Sequence, residues 1–532
     1  MKFGSIIALV FFLALSCIKK NDSALDAPLQ PDPEKTIRVQ LAAEPLSLDP
    51  ALAEDGMALR IICNVMEGLV GYDNSGRLAN RLAASVHVSG GGRRYEFTLR
   101  PGARWSDGRA VAAGDFVAGL RRSLAPATGA KLAHLLYPLK GARAYNAGKS
   151  GPETLGVRAL PARGRTPQKL VMELEHPVSW WLEALTLPLA MPVREDILAG
   201  RGGKWTAAHP VTGPYGYAAP PDSSRIMLVP NAGYYSFTGS RIFRPVPVLL
   251  QIIHDESTAA RLFEAGRLDI LTKVPPVDIR NMTARGQIKK MPFAATFFIG
   301  FNTRKPPFDD REVRRAFSNS INRVELAEAL GGGEVPARSW IPHGIEGFVA
   351  YEEAAYLFRG FDSRAAAAKK RLGHFGPVSA AFDSGARNSM AMEKIQQDIF
   401  RNLGVRVSLT SMDWKSYVKN LAVDAPPVFR FAWMAPFNDP VTHLAAFTRD
   451  DPNNYSGWSD PEYDALVSKI SLMRPGPARA LLIRKAQEIL VGRDAVIAPV
   501  YHYSQVYAVS GRVRGFSANR FGLVRYDELG LK

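Results

Sequence analysis

Two periodicities alternate along this chain, and together they predict an α/β fold. Apolar and polar side chains alternate at residues 36–41 and 95–100, as they do in half-buried strands. Apolar residues recur at helical spacing from 58 to 68 and from 113 to 124. An Asp-Gly turn signal at residues 105–108 separates the second strand from the second helix.

A later strand with a polar exit is predicted near the C-terminal end. Residues 430–434 (RFAWM) are aromatic and apolar, Pro436 interrupts the run, and residues 438–440 (NDP) form a polar turn. Residues 459–461 (SDP) have the form of a helix N-cap followed by proline at the first helical position. A further strand is predicted at residues 499–503.

The first apolar segment is predicted to be a signal peptide. Residues 6–16 form an apolar run after Lys2, and the run is too short to cross a bilayer as a helix. A small residue directly precedes Cys17, as in bacterial lipoproteins, so we expect cleavage after residue 16 and lipidation of Cys17. The alternative is an ordinary secretory signal in which Cys17 is incidental. Residues 17–35 are polar and rich in proline, which is typical of a tether.

Composition and charge exclude only a few classes of function. The chain has 2 cysteines, so lipidation of one leaves no internal disulfide, and Cys63 on an apolar helix face is expected to be a small buried hydrophobe. The net charge of +17 would suit a nucleic-acid partner, but the basic residues are scattered, with pairs as the densest clusters. Solvated surfaces explain them better, and no nucleic-acid partner is expected. A basic surface could also hold an anchored protein near anionic lipid.

Enzyme motifs are either missing or in the wrong order. Ser416 to Lys419 fits S-x-x-K, but the loosely matching K-S-G at 149–151 precedes it, whereas penicillin-recognising enzymes have that element afterwards. The sequence has no H-E-x-x-H, C-x-x-C or G-x-S-x-G. The glycines at 90–92 lack the lysine of a phosphate loop and are expected to form a hairpin tip. We therefore expect no catalytic residue, metal or cofactor.

Several motifs in a fixed order resemble the extracellular solute-binding proteins of family 5, nearest to the oligopeptide-binding members of bacterial peptide ABC importers. They are YEFTLRPGARWSDGRAV followed by AGDFV, TGPY at 212–215, FEAGRLDI at 263–270 and the segment 430–464. The resemblance extends over about residues 37–516.

The resemblance implies a periplasmic-binding-protein-like (type II) bilobal clamshell with an additional inserted lobe and mixed sheets flanked by helices. The implied segments are lobe I at residues 36–66, 178–290 and 500–532, lobe II at 67–177, and lobe III at 291–499. We use these three names for these segments throughout.

The resemblance also implies a site for a peptide backbone. An extended peptide would add to strand 430–434 through the main chain of Ala432 and Met434. Arg430 and Arg387 match residues that meet peptide carboxylates, and Trp433 would flank the ligand. The alternatives are a surface charge for each arginine and a core position for Trp433.

One position departs from the family. Oligopeptide-binding relatives carry an aspartate where this chain has Pro436, and that aspartate pairs with the peptide's amino group. Proline has no carboxylate and no amide hydrogen. Either another acid replaces it, with Glu44 and Asp439 as candidates, or the ligand has no free amine. Both acids have a plainer interpretation as turn residues.

The implied function is that of a lipid-anchored receptor of an ABC importer. It would be an exported, monomeric lipoprotein, periplasmic or at the cell surface, that delivers peptides or other small solutes to a permease. The alternatives are a non-transport sensor or interaction lipoprotein, and a receptor for a non-peptide or N-blocked solute.

Overall fold

The fold consists of mixed β-sheets flanked by helices, as the two periodicities predict. The computed structural model describes residues 32–73, 75–162, 164, 167–236, 245–358 and 377–532. Within these ranges, no helix is both long and apolar enough to cross a membrane. The signal peptide, Cys17 and most of the tether lie outside the described residues, so they remain predictions.

Strands and helices both occur along the whole described chain, singly and in short runs. The strands are β1 (Ile37–Leu41), β2 (Val70–Tyr72), β3 (Leu78–Asn80), β4 (Ala83–Ser89), β5 (Arg94–Leu99), β6 (Val157–Leu160), β7 (Lys169–Glu173), β8 (Tyr215–Tyr217), β9 (Arg225–Pro230), β10 (Val248–Ile252), β11 (Ile270–Leu271), β12 (Ile288–Phe301), β13 (Val335–Pro336), β14 (Val378–Asp383), β15 (Val407–Met412), β16 (Val428–Met434), β17 (Ile497–Val509), β18 (Val513–Arg514) and β19 (Gly530–Leu531). The helices are α1 (Gly56–Val65), α2 (Ala113–Leu124), α3 (Ala142–Asn146), α4 (Trp181–Ala184), α5 (Glu195–Ala199), α6 (Glu256–Glu264), α7 (Pro276–Ala284), α8 (Arg311–Ser320), α9 (Arg323–Leu330), α10 (Ala386–Leu403), α11 (Trp414–Asp424), α12 (Val441–Leu444), α13 (Pro461–Leu472) and α14 (Pro477–Gln487).

Aspartate side chains cap several helices, and the cap before α13 lies where the sequence predicts it. Asp55 accepts hydrogen bonds from the first amides of α1, and Asp310 and Asp460 cap α8 and α13 in the same way. Helix α1 ends earlier than predicted, at Val65 instead of near residue 68. The chain becomes extended there, and the Glu67 amide donates to Thr212 Oγ1 at 2.9 Å, outside the helix.

The main sheet has 11 strands and runs through lobes I and III. Its order is β15-β14-β16-β12-β17-β11-β1-β10-β9-β8, with β13 added beside β17. The pairs β1–β10 and β14–β16 are parallel, whereas β12 is antiparallel to both of its neighbours. The sheet is therefore mixed, as predicted.

Strands β12 and β17 join the two halves of this sheet. They are 14 and 13 residues long and pair with each other over most of their length, with register shifts between Pro292 and Thr296 and between Phe297 and Phe298. The predicted lobe borders at 290/291 and 499/500 fall inside these strands. Lobes I and III are thus joined by continuous strands and not by flexible loops.

The apolar run of β12 is buried on both faces of the sheet. Phe298 packs with Trp340 and Phe429 in one core, whereas Phe297 and Ile299 pack in a second core on the other face. Burial on both faces explains why this stretch shows no alternation of polar and apolar residues.

A separate sheet of 4 strands, β4-β5-β7-β6, lies in lobe II, and α2 packs on it. Buried Trp105 donates its indole N–H to Asp115 of α2 at 2.9 Å, and Arg109 pairs with the same carboxylate. This contact fixes the turn at 105–108 against the helix. The glycines at 90–92 form the tip of the β4–β5 hairpin, as predicted.

Candidate functional site

Strand β16 has a strand neighbour on both sides at its start and on one side only at its end. Strand β12 pairs with it from Val428 to Met434. Strand β14 pairs with it only at Val428 and Phe429. Within the described chain, the remainder of that side has no strand partner. We call it the open side of β16.

The main chain of Ala432 and Met434 faces this open side. The Ala435 amide donates to the Ala294 carbonyl, on β12, at 2.9 Å. Antiparallel neighbours alternate between facing the partner strand and facing away from it. In the observed register, the amide and carbonyl of Trp433 therefore face β12, and those of Ala432 and Met434 point away from it.

The first carbonyl on the open side is already hydrogen-bonded, and the residues further along it are more exposed. The hydroxyl of buried Tyr417 donates to the Arg430 carbonyl at 2.5 Å. Further along, Ala432 is half-buried and Met434 is 49% exposed. The part of the open side beyond Arg430 is therefore its more exposed part.

The two predicted carboxylate-binding arginines both pair with acids of the protein itself. Arg430 is buried, pairs with Asp383 and donates to the Tyr503 hydroxyl at 2.7 Å. Arg387 pairs with Glu334. Their side chains are 6% and 33% exposed, respectively, so Arg387 is the more accessible of the two.

Trp433 lies between a core position and a ligand-facing one. Its indole N–H donates to the Thr442 carbonyl at 2.7 Å, and its ring packs against the core that contains Trp340 while remaining half-buried. The hydrogen bond fixes the ring and leaves one part of it uncovered.

The two candidate replacements for the missing aspartate occupy different environments. Asp439 is 3% exposed and accepts two hydrogen bonds from Arg479 at 2.8 Å and one from Ser179 at 2.9 Å. Burial raises the pKa of Asp439, and Arg479 opposes that shift. Its hydrogen-bonding capacity is therefore largely used within the protein. Glu44 is exposed in the loop after β1, away from any described ion pair.

A third acid, Glu183, lies at the same end of β16. It follows the buried Trp181 in the short helix α4, and the Tyr72 hydroxyl donates to its Oε2 atom. The amide of Asn438 donates to the same Tyr72 hydroxyl oxygen at 3.1 Å. Tyr72 thus joins the acid to the polar turn that follows β16.

Glu183 differs from Asp439 because it has no ion-pair partner in the described part of the chain, although Arg520 lies nearby. Among the described residues, it forms no salt bridge, and the nearby Arg520 donates to Asn438 Oδ1 at 3.4 Å. Burial raises the pKa of the Glu183 carboxyl to about 7. The Tyr72 hydrogen bond lowers it, the charge of Asp439 raises it, and the Asn438 amide and Arg520 lower it.

A small apolar cavity of about 70 Å³ lies beside this group of residues. Tyr72 and Pro436 both line it, together with Met66, Leu187 and Phe521. Lobe III contributes Pro436, and the other lobes contribute the remaining walls. The cavity therefore lies at the boundary between lobe III and the rest of the protein, which we call the seam.

Sequence reasoning found the strand and missed the residues that contact its end. Tyr72 and Glu183 are 111 positions apart in sequence, and Arg479 is 40 positions from Asp439. No local motif marks these residues. Within the described chain, no group of three or more His, Cys, Asp or Glu side chains is arranged to hold a metal ion.

Comparison with known proteins finds relatives that match over most of the length of the chain. The profile described as bacterial extracellular solute-binding proteins, family 5 middle, matches residues 77–455. The oligopeptide-binding protein OppA of Bacillus subtilis (strain 168) is 26% identical over 527 residues, which cover 95% of this chain and 95% of OppA. The probable deoxycholate-binding periplasmic protein YgiS of Escherichia coli (strain K12) is 28% identical over 525 residues, which cover 96% of this chain and 95% of YgiS.

A solved structure extends the likeness to three dimensions. The Escherichia coli murein tripeptide binding protein MppA is 26% identical in sequence and superposes with a TM-score of 0.76. The superposition covers 94% of this chain and 98% of MppA.

Proposed function

Because the chain belongs to the bacterial extracellular solute-binding proteins of family 5, we propose that it binds short peptides at the seam and delivers them to an ABC permease. The predicted fold class is confirmed: it is an α/β, type II bilobal clamshell with mixed sheets. The open side of β16 is the observation that carries the proposal.

The open side would bind a peptide through groups that every peptide has. The amides and carbonyls of Ala432 and Met434 point away from β12 and would pair with an extended ligand as an added strand. Each such hydrogen bond contributes about 0.5–1.5 kcal/mol net. Main-chain pairing explains how one receptor could accept many peptide sequences.

The carboxylate end of the ligand would lie toward the basic residues beyond the start of the open side. Arg387 is better placed for this role than Arg430, because its side chain is 33% exposed and that of Arg430 is 6% exposed. A ligand carboxylate would share Arg387 with Glu334. Trp433 would contact the ligand with the uncovered part of its ring.

The OppA and MppA relatives are named for binding an oligopeptide and a murein tripeptide, respectively. These names support a peptide ligand for this chain.

Native mass spectrometry of the exported protein tests the proposal most directly. Peptides that are retained in the native spectrum and released on denaturation would support it. Exclusive recovery of another class of molecule would refute it.

A pair of proline variants tests the role of the main chain. Met434→Pro removes an amide that faces the open side, so peptide affinity should fall about tenfold, while the fold is retained, because proline is tolerated at open edges. Trp433→Pro removes an amide that faces β12 and should instead destabilise the sheet. Equal peptide affinity in Met434→Pro and the unchanged protein would contradict binding at the open side.

Anchoring and delivery form the second part of the proposal. Lipidation of Cys17 after removal of residues 1–16 would hold the protein at the membrane, where a permease would accept the ligand. Cys17→Ala should abolish incorporation of labelled palmitate and release the protein from the membrane fraction. Peptide import that continues after deletion of the gene would argue for the alternative, a sensor without a transport role.

An apolar, non-peptide solute is a second candidate. The cavity at the seam is lined mainly by apolar side chains, including Met66, Leu187, Pro436 and Phe521. YgiS is named as a probable deoxycholate-binding protein. Displacement of a bound peptide by deoxycholate, measured by calorimetry, would favour this candidate.

A further inference from the structure

Three buried or half-buried acids lie around the seam, and two of them have an internal cation. Asp439 pairs with Arg479 at 2.8 Å, and Glu67 pairs with Arg525 at 3.3 Å. Glu183 accepts a hydrogen bond from the neutral Tyr72 hydroxyl, and nearby Arg520 forms no salt bridge with it in the described chain but donates to Asn438 Oδ1 at 3.4 Å. A carboxylate removed from water is stable in its charged form only when a positive group is close. Glu183 therefore lacks a partner that its neighbours have.

The position of Glu183 indicates where such a partner would come from. Tyr72 links the Glu183 carboxylate to the amide of Asn438, which lies four residues beyond Met434 on the same strand exit. An extended ligand paired with the open side would reach this point at one of its ends. Pro436, between Met434 and Asn438, supplies neither charge nor amide.

We propose that Glu183 binds the positively charged amino terminus of a peptide held on the open side of β16. Glu183, which belongs to lobe I, would thus supply the charge that lobe III lacks at Pro436. This inference rests on the proposed peptide-binding function and names the chemistry of one end of its ligand. An ammonium group can donate three hydrogen bonds, of which the Glu183 carboxylate would accept one or two.

The groups around Glu183 do not balance its negative charge fully, so the carboxylate can bind one more positive charge. Tyr72 is neutral, because burial and the Glu183 charge hold its pKa well above its usual value. Asp439 is balanced by Arg479, and Arg520 is turned toward Asn438. Burial gives Glu183 a pKa of about 7, so it is about half protonated in the free protein at neutral pH. Binding of an ammonium group would lower that pKa and release the proton.

The first test compares two synthetic peptide libraries that differ only at the amino terminus. Tri-, tetra- and pentapeptides of Ala, Gly, Leu, Phe and Ser, each with a free carboxylate, are prepared with free and with acetylated amino groups. Retention by the full-length exported protein is measured by native mass spectrometry. The free-amine library should be retained at least about tenfold better, the ratio expected for one charge-assisted contact.

Three glutamine variants identify the responsible acid. Glu183→Gln should reduce the preference for free amines to about twofold or less. Glu256→Gln, at the exposed start of α6, controls for loss of one negative charge and should keep the preference. Glu44→Gln tests the sequence-based candidate: loss of the preference in Glu44→Gln but not in Glu183→Gln would overturn the proposal.

Calorimetry supplies a readout that a purely structural role would not change. Binding of a retained free-amine peptide at pH 7, measured in two buffers of different ionisation enthalpy, should release up to about half a proton. The acetylated peptide should release none. These measurements need only the unchanged protein, so they remain decisive even if Glu183→Gln fails to fold.

The outcomes separate this inference from the function on which it rests. Peptide retention without any preference for free amines would overturn the role of Glu183 and leave peptide binding intact. A preference that Glu183→Gln retains would do the same. Retention of neither library would refute peptide binding itself, and the role of Glu183 with it.

Discussion

Two carboxylates lie on opposite sides of the seam, and they differ in the hydrogen bonds and ion pairs that the protein provides. On the lobe III side, Asp439 is enclosed by Arg479, Ser179 and the Val441 amide. On the other side, Glu183 receives a hydroxyl and has no salt bridge among the described residues.

The difference shows how a folded structure separates an acid that holds it together from one that is open to a ligand. Both groups are largely removed from water, and burial raises the pKa of each. Of the two, only Asp439 forms an ion pair within the described part of the chain. The four predictions below test that comparison, from the largest expected effect to the smallest.

The largest effect is expected from removing the cation beside Asp439. Arg479 is 1% exposed and also pairs with Glu346, so Arg479→Met leaves two acids without their cation. Loss of one partner from a buried pair costs about 3–5 kcal/mol. Urea denaturation should show a loss of stability of this size.

Two further variants make this measurement specific. Arg479→Met combined with Asp439→Asn should recover part of the loss, because no charge then remains at position 439. Arg484→Ala breaks an exposed pair with Glu488 and should change stability by less than about 0.5 kcal/mol. Equal losses in Arg479→Met and Arg484→Ala would show that the Asp439 pair contributes nothing special.

Replacing Glu183 should increase the stability of the protein, whereas Arg479→Met should decrease it. Its pKa of about 7 in the folded protein lies above the ordinary value of 4.5, so the folded state binds the proton more tightly. Stability is therefore lost as the pH rises through 7. Glu183→Gln removes this loss and should stabilise the ligand-free protein by about 2–3 kcal/mol at pH 8, with little change near pH 4.5.

Glu67 provides the matched control for that experiment. Glu67 lines the cavity at the seam, pairs with Arg525 and accepts a hydrogen bond from the Tyr235 hydroxyl at 2.9 Å. Glu67→Gln should therefore destabilise the protein under the same conditions. Stabilisation by both variants would mean that any buried acid at the seam is unfavourable, and the comparison would fail.

Two buried histidines provide a further comparison, because burial keeps their rings uncharged in the folded protein. Burial lowers the pKa of both His443 and His502 to about 3, from an ordinary value of 6.5. As the pH falls below 6.5, the unfolded chain takes up protons first, and stability is lost. Each ring should cost about 2 kcal/mol at pH 5. His443→Gln should remove about half of this acid sensitivity, measured by urea denaturation at pH 5 and pH 7.5.

The smallest effect is expected at the hydroxyl that joins the two sides of the seam. Tyr72→Phe removes the donor to Glu183 and the acceptor of the Asn438 amide, at a cost of about 1 kcal/mol at pH 8. In a Glu183→Gln background the cost should be smaller, because no charge then depends on the hydroxyl. Equal costs in both backgrounds would show that Tyr72 and Glu183 do not interact.

Local features of this fold could be predicted from sequence, and tertiary pairings could not. Helix α2 has the predicted bounds of 113–124, and Asp460 caps α13 ahead of a proline, because periodicity and capping act within a few residues. The early end of α1 depends instead on Thr212, which is distant in sequence.

The candidate site shows the same difference between local features, which the sequence predicts, and tertiary contacts, which it does not. The sequence predicts strand β16 and its interruption at Pro436. It does not predict which acids pair with Arg430 and Arg387. Asp383 and Glu334 reach these arginines across 47 and 53 positions, and spacing alone gives no sign of either pair. The roles of the site residues therefore stay predictions that the experiments above can test.

The pairing of β12 with β17 has a consequence for the modularity of the chain. Inside the borders of lobe III, the Phe301 amide donates to the Val496 carbonyl at 3.2 Å, so the chain enters and leaves the segment between them at neighbouring positions. Everything between these residues is a single excursion from the main body. A short Gly-Ser linker could span that gap, but removal of the segment would uncover both faces of β12, whose apolar side chains pack on it.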